Sequence, residues 1–210
     1  MVDFAILTVC SGNICRSPMA EQLLRAGLAQ WPHVSVASSG TIGLTGERMT
    51  EQAAALSHQF GGDPSGHVAR KLTAQQINAA NLVFAMSREH RRAVAELVPR
   101  AVRYTFTIRE FARLIGGVTE SDLGAAAALP VHDATARFCT LRDLAASQRG
   151  VVALAALAED DDVVDPYSHG DDVYAESARQ LVPAVESVLS LFRLSATVTR
   201  PSYQIKTALR

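Results

Sequence analysis

The chain lacks most of what would place it among several large protein classes. Of its 210 residues only three are cysteine, an odd number that provides no disulfide framework. Its six histidines are scattered, and no Cys/His cluster has zinc spacing, so neither a metal nor a cofactor is expected. It has no run of about 18 apolar residues, which argues against a helical membrane span. The N-terminal stretch MVDFAILTVCSGN has no basic flank, and its apolar part is too short for a signal peptide. A cytoplasmic location is therefore expected. Neither charge sign dominates. Twenty Lys and Arg against 21 Asp and Glu leave a formal net charge of −1, which argues against general nucleic-acid binding, since that needs a basic surface to release counterions.

The chain does have enough apolar residues for a core: 48% are hydrophobic and 20% charged, which argues against global disorder. FAILTV (4–9) reads as a buried strand, because strands covered on both faces are continuously apolar. SPMAEQLLRAGLAQW (17–31) reads as a helix, with Ser17 as N-cap, Pro18 at the first helical position and an apolar stripe of Ala20, Leu23, Leu24 and Leu28. Further strands are expected at 34–38, 81–86 and 101–106, and further helices at 49–60 and 87–98. This alternation predicts an α/β, doubly wound fold: an open, mostly parallel sheet with helices on both faces. From 107 onward the pattern is helical. It includes a helix over 107–116, a small-residue stretch over 116–133, one or two helices over 134–157, an acidic loop over 158–172, and a helix over 173–194 with a kink or break at Pro183. The aperiodic stretch 195–210 reads as a mobile tail.

The most informative stretch is VCSGNICRSPMAEQLL, residues 9–24. Cys10 sits where a strand ends and a helix begins, and open α/β sheets bind ligands at the carboxyl ends of their strands. A short loop entering a helix N-terminus gathers backbone N–H groups around one hollow, which favours an anion. Gly12 is expected to supply a backbone conformation closed to other residues, and Asn13 to tolerate the left-handed region. Arg16 adds a rigid fork that matches two phosphate oxygens. The same positive surroundings favour the thiolate of Cys10, its nucleophilic form. The turn thus combines a phosphate cradle with a nucleophile.

CSGNICRSPMAE resembles the active-site signature C-x-G-N-x-C-R-S-P-x-A-E of the low-molecular-weight protein tyrosine phosphatases. The resemblance implies a four-stranded parallel sheet, Cys10 as nucleophile and Arg16 as the phosphoryl-binding arginine. It assigns phosphate-binding donors to the backbone of Ser11, Gly12, Asn13, Ile14, Cys15 and Arg16. Ser17 would stabilise the thiolate as a leaving group, and the Asn13 side chain would hold the loop's shape. The family carries its proton donor on an Asp-Pro loop before the last helix, and VVDPYSHGDD places Asp165 there as general acid and base, with Tyr167 as a pocket wall. Many relatives have a second aromatic where this chain has Ser168, which predicts a more open side to the cleft. Ser38 in VASSGT and His67 in GHVARKLT match supporting positions that brace the loop. The match covers about 4–113 and 158–193. The chain thus reads as one domain over 1–194 with an enlarged helical region at about 114–157, and a tail over 195–210.

The implied activity is hydrolysis of protein phosphotyrosine through a cysteinyl-phosphate intermediate, with a bacterial tyrosine kinase as a candidate partner. Three alternatives are weighed against it. A thioredoxin-linked arsenate reductase needs relay cysteines near mid-chain, and residues 60–100 contain none. A protein arginine phosphatase carries Thr where this chain has Ile14, and a bulky apolar side chain there suits an aryl ester. A non-catalytic phosphotyrosine-binding module would be expected to have lost Cys10 or Asp165. Cys15 is spaced to trap an oxidised Cys10 as a disulfide, and Cys139 reads as packing. Helix 87–98 reads as a solvated face with Val94 and Leu97 turned inward. The seven arginines between 88 and 113 read as charged surface rather than a docking patch.

Overall fold

In a computed structural model, residues 4–199 are described. Four strands, β1 (Phe4–Cys10), β2 (Val34–Gly40), β3 (Leu82–Ala85) and β4 (Thr105–Thr107), form one sheet in the order β2-β1-β3-β4. Every neighbouring pair is parallel. Around the sheet lie α1 (Arg16–Gly27), α2 (Glu51–Gln59), α3 (Ala74–Ala79), α4 (Arg88–Leu97), α5 (Ile108–Ile115), α6 (Gly124–Ala127), α7 (Ala134–Ser147) and α8 (Asp171–Thr197).

Alternation along the strands divides the core. Phe4, Ile6, Leu82, Phe84 and Phe106 face one layer with α1, α5, α7 and α8, while Leu7, Val9 and Val83 face the other with Ile77 of α3 and Val94 of α4. Phe138 of α7 stacks on Phe192 at 4.5 Å between ring centroids and meets Phe4 and Trp31 edge-on. The 134–147 segment is therefore part of the core. Arg137, 1% exposed, has no carboxylate among its hydrogen-bond partners. It donates to the carbonyls of Ser195 and Val198 at the C-terminal end of α8 and to those of Leu129 and Pro130, where a cation complements the helix dipole. Arg149 reaches the sheet's edge strand. It donates to Thr105 O at 2.7 Å and to Val102 O at 3.1 Å, and its guanidinium lies 4.0 Å from the Phe106 ring centroid.

Several expected boundaries move. Helix α1 starts two residues earlier than expected, with Cys15 rather than Ser17 as N-cap, so Ser17 and Pro18 fall within its first turn, where proline's missing N–H costs nothing. The Ser17 hydroxyl is thereby released to the site. Residues 99–104 form a 3-10 turn opened by Pro99, leaving only three residues for β4. Residues 134–157 hold a single helix that ends at Ser147. Helix α8 runs through Pro183 unbroken to Thr197, so 195–197 are not tail, and Ser195 and Ala196 are buried. The rest of the expected tail, from 200, lies outside the described residues. Leu97 is 51% exposed; of the two residues expected to turn inward, only Val94 is buried. Among the described residues, no helix is long and apolar enough to cross a membrane.

Candidate active site

The loop between β1 and α1 wraps around a small hollow of about 160 Å³ lined by Cys10, Ser11, Gly12, Ile14, Cys15, Arg16, Ile42, Leu44, Asp165 and Tyr167. It keeps its shape because its carbonyls are engaged from outside. Thr41 N donates to Cys10 O, Ile42 N to Ser11 O, Leu44 N to Gly12 O and Thr50 N to Ile14 O, all within 2.8–3.1 Å. His67 Nε2 lies 2.7 Å from Asn13 O. With its carbonyls turned outward, the loop offers its amides to the inside, and Asn13 N donates to Cys10 Sγ at 3.3 Å.

Asn13 is the hub of the buried scaffold. Its backbone is left-handed, with φ 62°. Its side chain donates to Ser17 Oγ at 3.0 Å and Ser38 Oγ at 2.8 Å, and accepts from Arg70 N at 2.9 Å. Ser17 Oγ lies 3.0 Å from Cys10 Sγ. Ser38 in turn donates to Glu21. Gly12 does not adopt the unusual conformation expected of it: the left-handed turn is made by Asn13, while a Cβ on Gly12 would press on Ile14 and Leu44 at 3.3–3.4 Å. Gly40, not singled out from the sequence, is needed for space, since a Cβ there would lie 2.4 Å from Ser11 O.

Arg16 is 5% exposed. Its Nη1 donates to Val163 O at 3.0 Å and its Nη2 to Asp165 at 2.5 Å, while its buried Nε has no partner. An unmatched buried N–H is costly unless a ligand completes it. Asp165 and Tyr167 are about half exposed, and Tyr167 N donates to Asp165 at 3.2 Å. Ser168 has φ 63° and is exposed.

Four further residues of the site carried no sequence signal. His90, read as part of a solvated face, is 3% exposed. Its Nε2 meets Ser11 Oγ at 2.8 Å and its Nδ1 meets Ser87 Oγ at 2.8 Å. Burial, followed by the Arg16 charge and against the pull of Asp165, lowers its pKa to about 4, so the imidazole is neutral near pH 7. Ile42 and Leu44 add apolar side chains to the lining that also holds Tyr167, and Tyr174 lies 3.8 Å from Cys15 Sγ. Burial pushes the Cys15 thiol up, against hydrogen bonds from Thr50 and Tyr174, which keeps Cys15 a thiol. All three cysteines are free.

The acidic loop is anchored by two of the arginines between 88 and 113: Arg113 grips Asp161, and Arg88 grips Asp162. Among the described residues no cluster of three or more His, Cys, Asp or Glu could hold a metal ion.

Comparison with known proteins agrees with this geometry. The family model "Low molecular weight phosphotyrosine protein phosphatase" matches residues 5–125. The low molecular weight protein-tyrosine-phosphatase Ptp of Acinetobacter johnsonii is 38% identical over 103 residues, 49% of this chain and 70% of that protein. A protein-arginine-phosphatase of Geobacillus stearothermophilus is 35% identical over 110 residues, 52% of this chain and 72% of that one. The chain spans between 62% and 70% of the length of the first curated relatives it matches. The crystal structure of the Erwinia amylovora tyrosine phosphatase AmsI superimposes with a TM-score of 0.61 at 23% identity, covering 90% of this chain and 93% of that one, which supports the shared fold. A cysteine and an arginine set in one loop at the end of β1, under a sheet of order β2-β1-β3-β4, thus place this chain in the low molecular weight phosphotyrosine protein phosphatase family.

Proposed function

We propose that this chain hydrolyses phosphotyrosine on proteins, with Cys10 as nucleophile, Arg16 and the loop amides as phosphoryl clamp, and Asp165 as proton donor and acceptor. The observation that carries the reading is a hollow lined by both Cys10 and a buried Arg16 whose Nε has no partner. A phosphoryl oxygen completes it, with the loop amides of residues 11–16 around the other oxygens. Cys10 Sγ attacks phosphorus, and the P–O bond to the phenol breaks. The phenolate takes a proton from Asp165 as it leaves, giving tyrosine and cysteinyl phosphate. Asp165 then takes a proton from water, whose oxygen attacks phosphorus. The P–S bond breaks, inorganic phosphate leaves and the thiolate returns to the Ser17 hydroxyl and the Asn13 amide. In the present geometry Asp165 is paired with Arg16, so an arriving dianion must draw the guanidinium toward itself and release the carboxyl for proton transfer.

The walls support an aryl substrate. Ile14, Ile42, Leu44 and Tyr167 are apolar and suit a flat ring, and the small hollow admits a side chain while the rest of a protein stays outside. A phosphorylated bacterial tyrosine kinase is a substrate of this class. Phosphoarginine is the second reading, favoured by the Geobacillus relative and opposed by the absence of a polar group on Ile14 to meet a guanidinium. Turnover of phosphotyrosine and phosphoarginine peptides by the wild type, Cys10→Ser and Asp165→Asn tests both. Preference for phosphotyrosine with a dead Cys10→Ser is the expected result. Turnover of phosphoarginine alone reverses the substrate, and no turnover of either overturns the reading.

A further inference from the structure

Two residues before Asp165, the chain is held in an unusual way. Three consecutive carbonyls each accept from a side chain of another element: Asp161 O from Thr107 Oγ1 at 2.5 Å, Asp162 O from Arg109 at 2.6 Å, and Val163 O from Arg16 at 3.0 Å. The two carboxylates are held as well. Arg113 of α5 forks onto Asp161 at 3.0 and 2.7 Å. Arg88, the first residue of α4, forks onto Asp162 at 3.1–3.3 Å and adds its own backbone N–H at 2.7 Å. Both carboxylates raise the pKa of the guanidinium they meet. Val163 is buried, and its N–H donates to Met86 O at the end of β3.

Stability alone is a poor account of this convergence. The Arg88 side chain is 47% exposed, and an exposed ion pair contributes only about 0–1 kcal/mol while three long side chains lose rotamer freedom. What paired forks supply well is orientation. The next polar side chain along the segment is the carboxyl of Asp165, which sits in an exposed loop with little packing of its own.

We propose that Arg88, Arg109 and Arg113 are positioning residues for proton transfer: they clamp residues 161–163 to the ends of α4 and α5 and so fix the reach of the Asp165 carboxyl to the leaving oxygen. The proposal rests on the reading of Asp165 as proton donor. It also gives the arginine-rich stretch 88–113 a role that is neither a docking patch nor bland surface.

The test is kcat/KM, which reports only the steps up to cleavage of the ester. Two substrates are compared, a phosphotyrosine peptide, whose phenolate needs a proton, and 2,4-dinitrophenyl phosphate, whose leaving group does not. Arg88→Gln, Arg113→Gln and their double variant are each made alone and with Asp165→Asn. The exposed Arg88 provides a variant that leaves the core untouched. The expected result is a loss of about tenfold on phosphotyrosine for the double variant, from acid–base catalysis worth about 10²–10⁴-fold in all, and less than about twofold on the dinitrophenyl ester. With Asp165→Asn already present, the arginine substitutions should cost nothing more on phosphotyrosine, because they act through the same proton transfer. Arg113→Lys, which keeps the charge and loses the fork, should recover only part of the loss. An equal loss on both esters, or none on either, overturns the clamp if Asp165→Asn is itself selective for the poor leaving group. If Asp165→Asn shows no such selectivity, the proton-donor reading falls and takes the clamp with it.

Discussion

The two banks of the cleft are built on opposite principles. On one bank, Asn13, Ser17 and Ser38 are fully buried, and nearly every bond that shapes the loop is a hydrogen bond between uncharged groups. On the other, Asp165 and Tyr167 are half exposed, and the segment before them is held by arginines at its base. The difference follows from the two tasks. Groups that stabilise charge on a transferring phosphoryl group work best when already in place, so that nothing reorganises during reaction. A proton donor must meet solvent to be recharged and must let substrate in and out. It can be located by its stem while its head stays wet.

This contrast breaks most sharply at the nucleophile. Cys10→Ser should lower phosphotyrosine hydrolysis by about 10⁴-fold or more, as read by steady-state release of inorganic phosphate. A smaller effect is expected at the edge of the buried bank. Because the His90 pKa lies near 4 when folded and about 6.5 when unfolded, the unfolded chain binds a proton there first. The His90 contribution to stability is therefore constant above about pH 6.5 and falls as pH drops toward 4, by about 3 kcal/mol in all. Urea melts of wild type and His90→Gln across that range should show this portion of the slope disappearing in the variant. Next comes Asn13→Ala, which should cost about 10²-fold in kcat/KM. The loss should be the same for phosphotyrosine and for the dinitrophenyl ester, since the buried bank serves the phosphoryl group whatever leaves. The smallest effect belongs to the exposed bank. Raising salt from about 0.05 to 0.5 M should lower the phosphotyrosine-to-dinitrophenyl ratio of kcat/KM by about twofold as the Arg88–Asp162 pair is screened. A ratio indifferent to salt would mean that the forks hold by geometry alone.

The same contrast explains what could be read from the sequence. The buried bank is local: the thiol, the left-handed Asn13, Arg16 and Ser17 lie within eight consecutive residues, and their chemistry is legible because a tight loop leaves little choice. Strand and helix order was legible for the same reason, with each element carrying its own period. The grip of Arg88 and Arg113 on Asp162 and Asp161 spans 74 and 48 residues, and an arginine in a helix looks the same whether it meets water or a distant carboxylate. His90 was hidden in a run of charged neighbours, and only the turn of α4 carries it inward. β4 was misplaced because Pro99 opens a 3-10 turn over residues whose composition suits a strand. Helix α8 survives Pro183, and the packing of its flanking turns against α1, α5 and α7 outweighs the lost backbone bond.

The reach of Arg149 to the edge of the sheet has a consequence of another kind. A border strand with free carbonyls is a template on which another chain can add itself. Here the border strand is only three residues long, Arg149 occupies Thr105 O within it and Val102 O just before it, and its guanidinium covers the adjoining Phe106 ring. The segment after α7 thus brings a charge to the place where a second copy of this chain would otherwise stack strand against strand. Removing it, by Arg149→Ala, should show first as turbidity on prolonged storage at high concentration, before any loss of turnover per folded molecule.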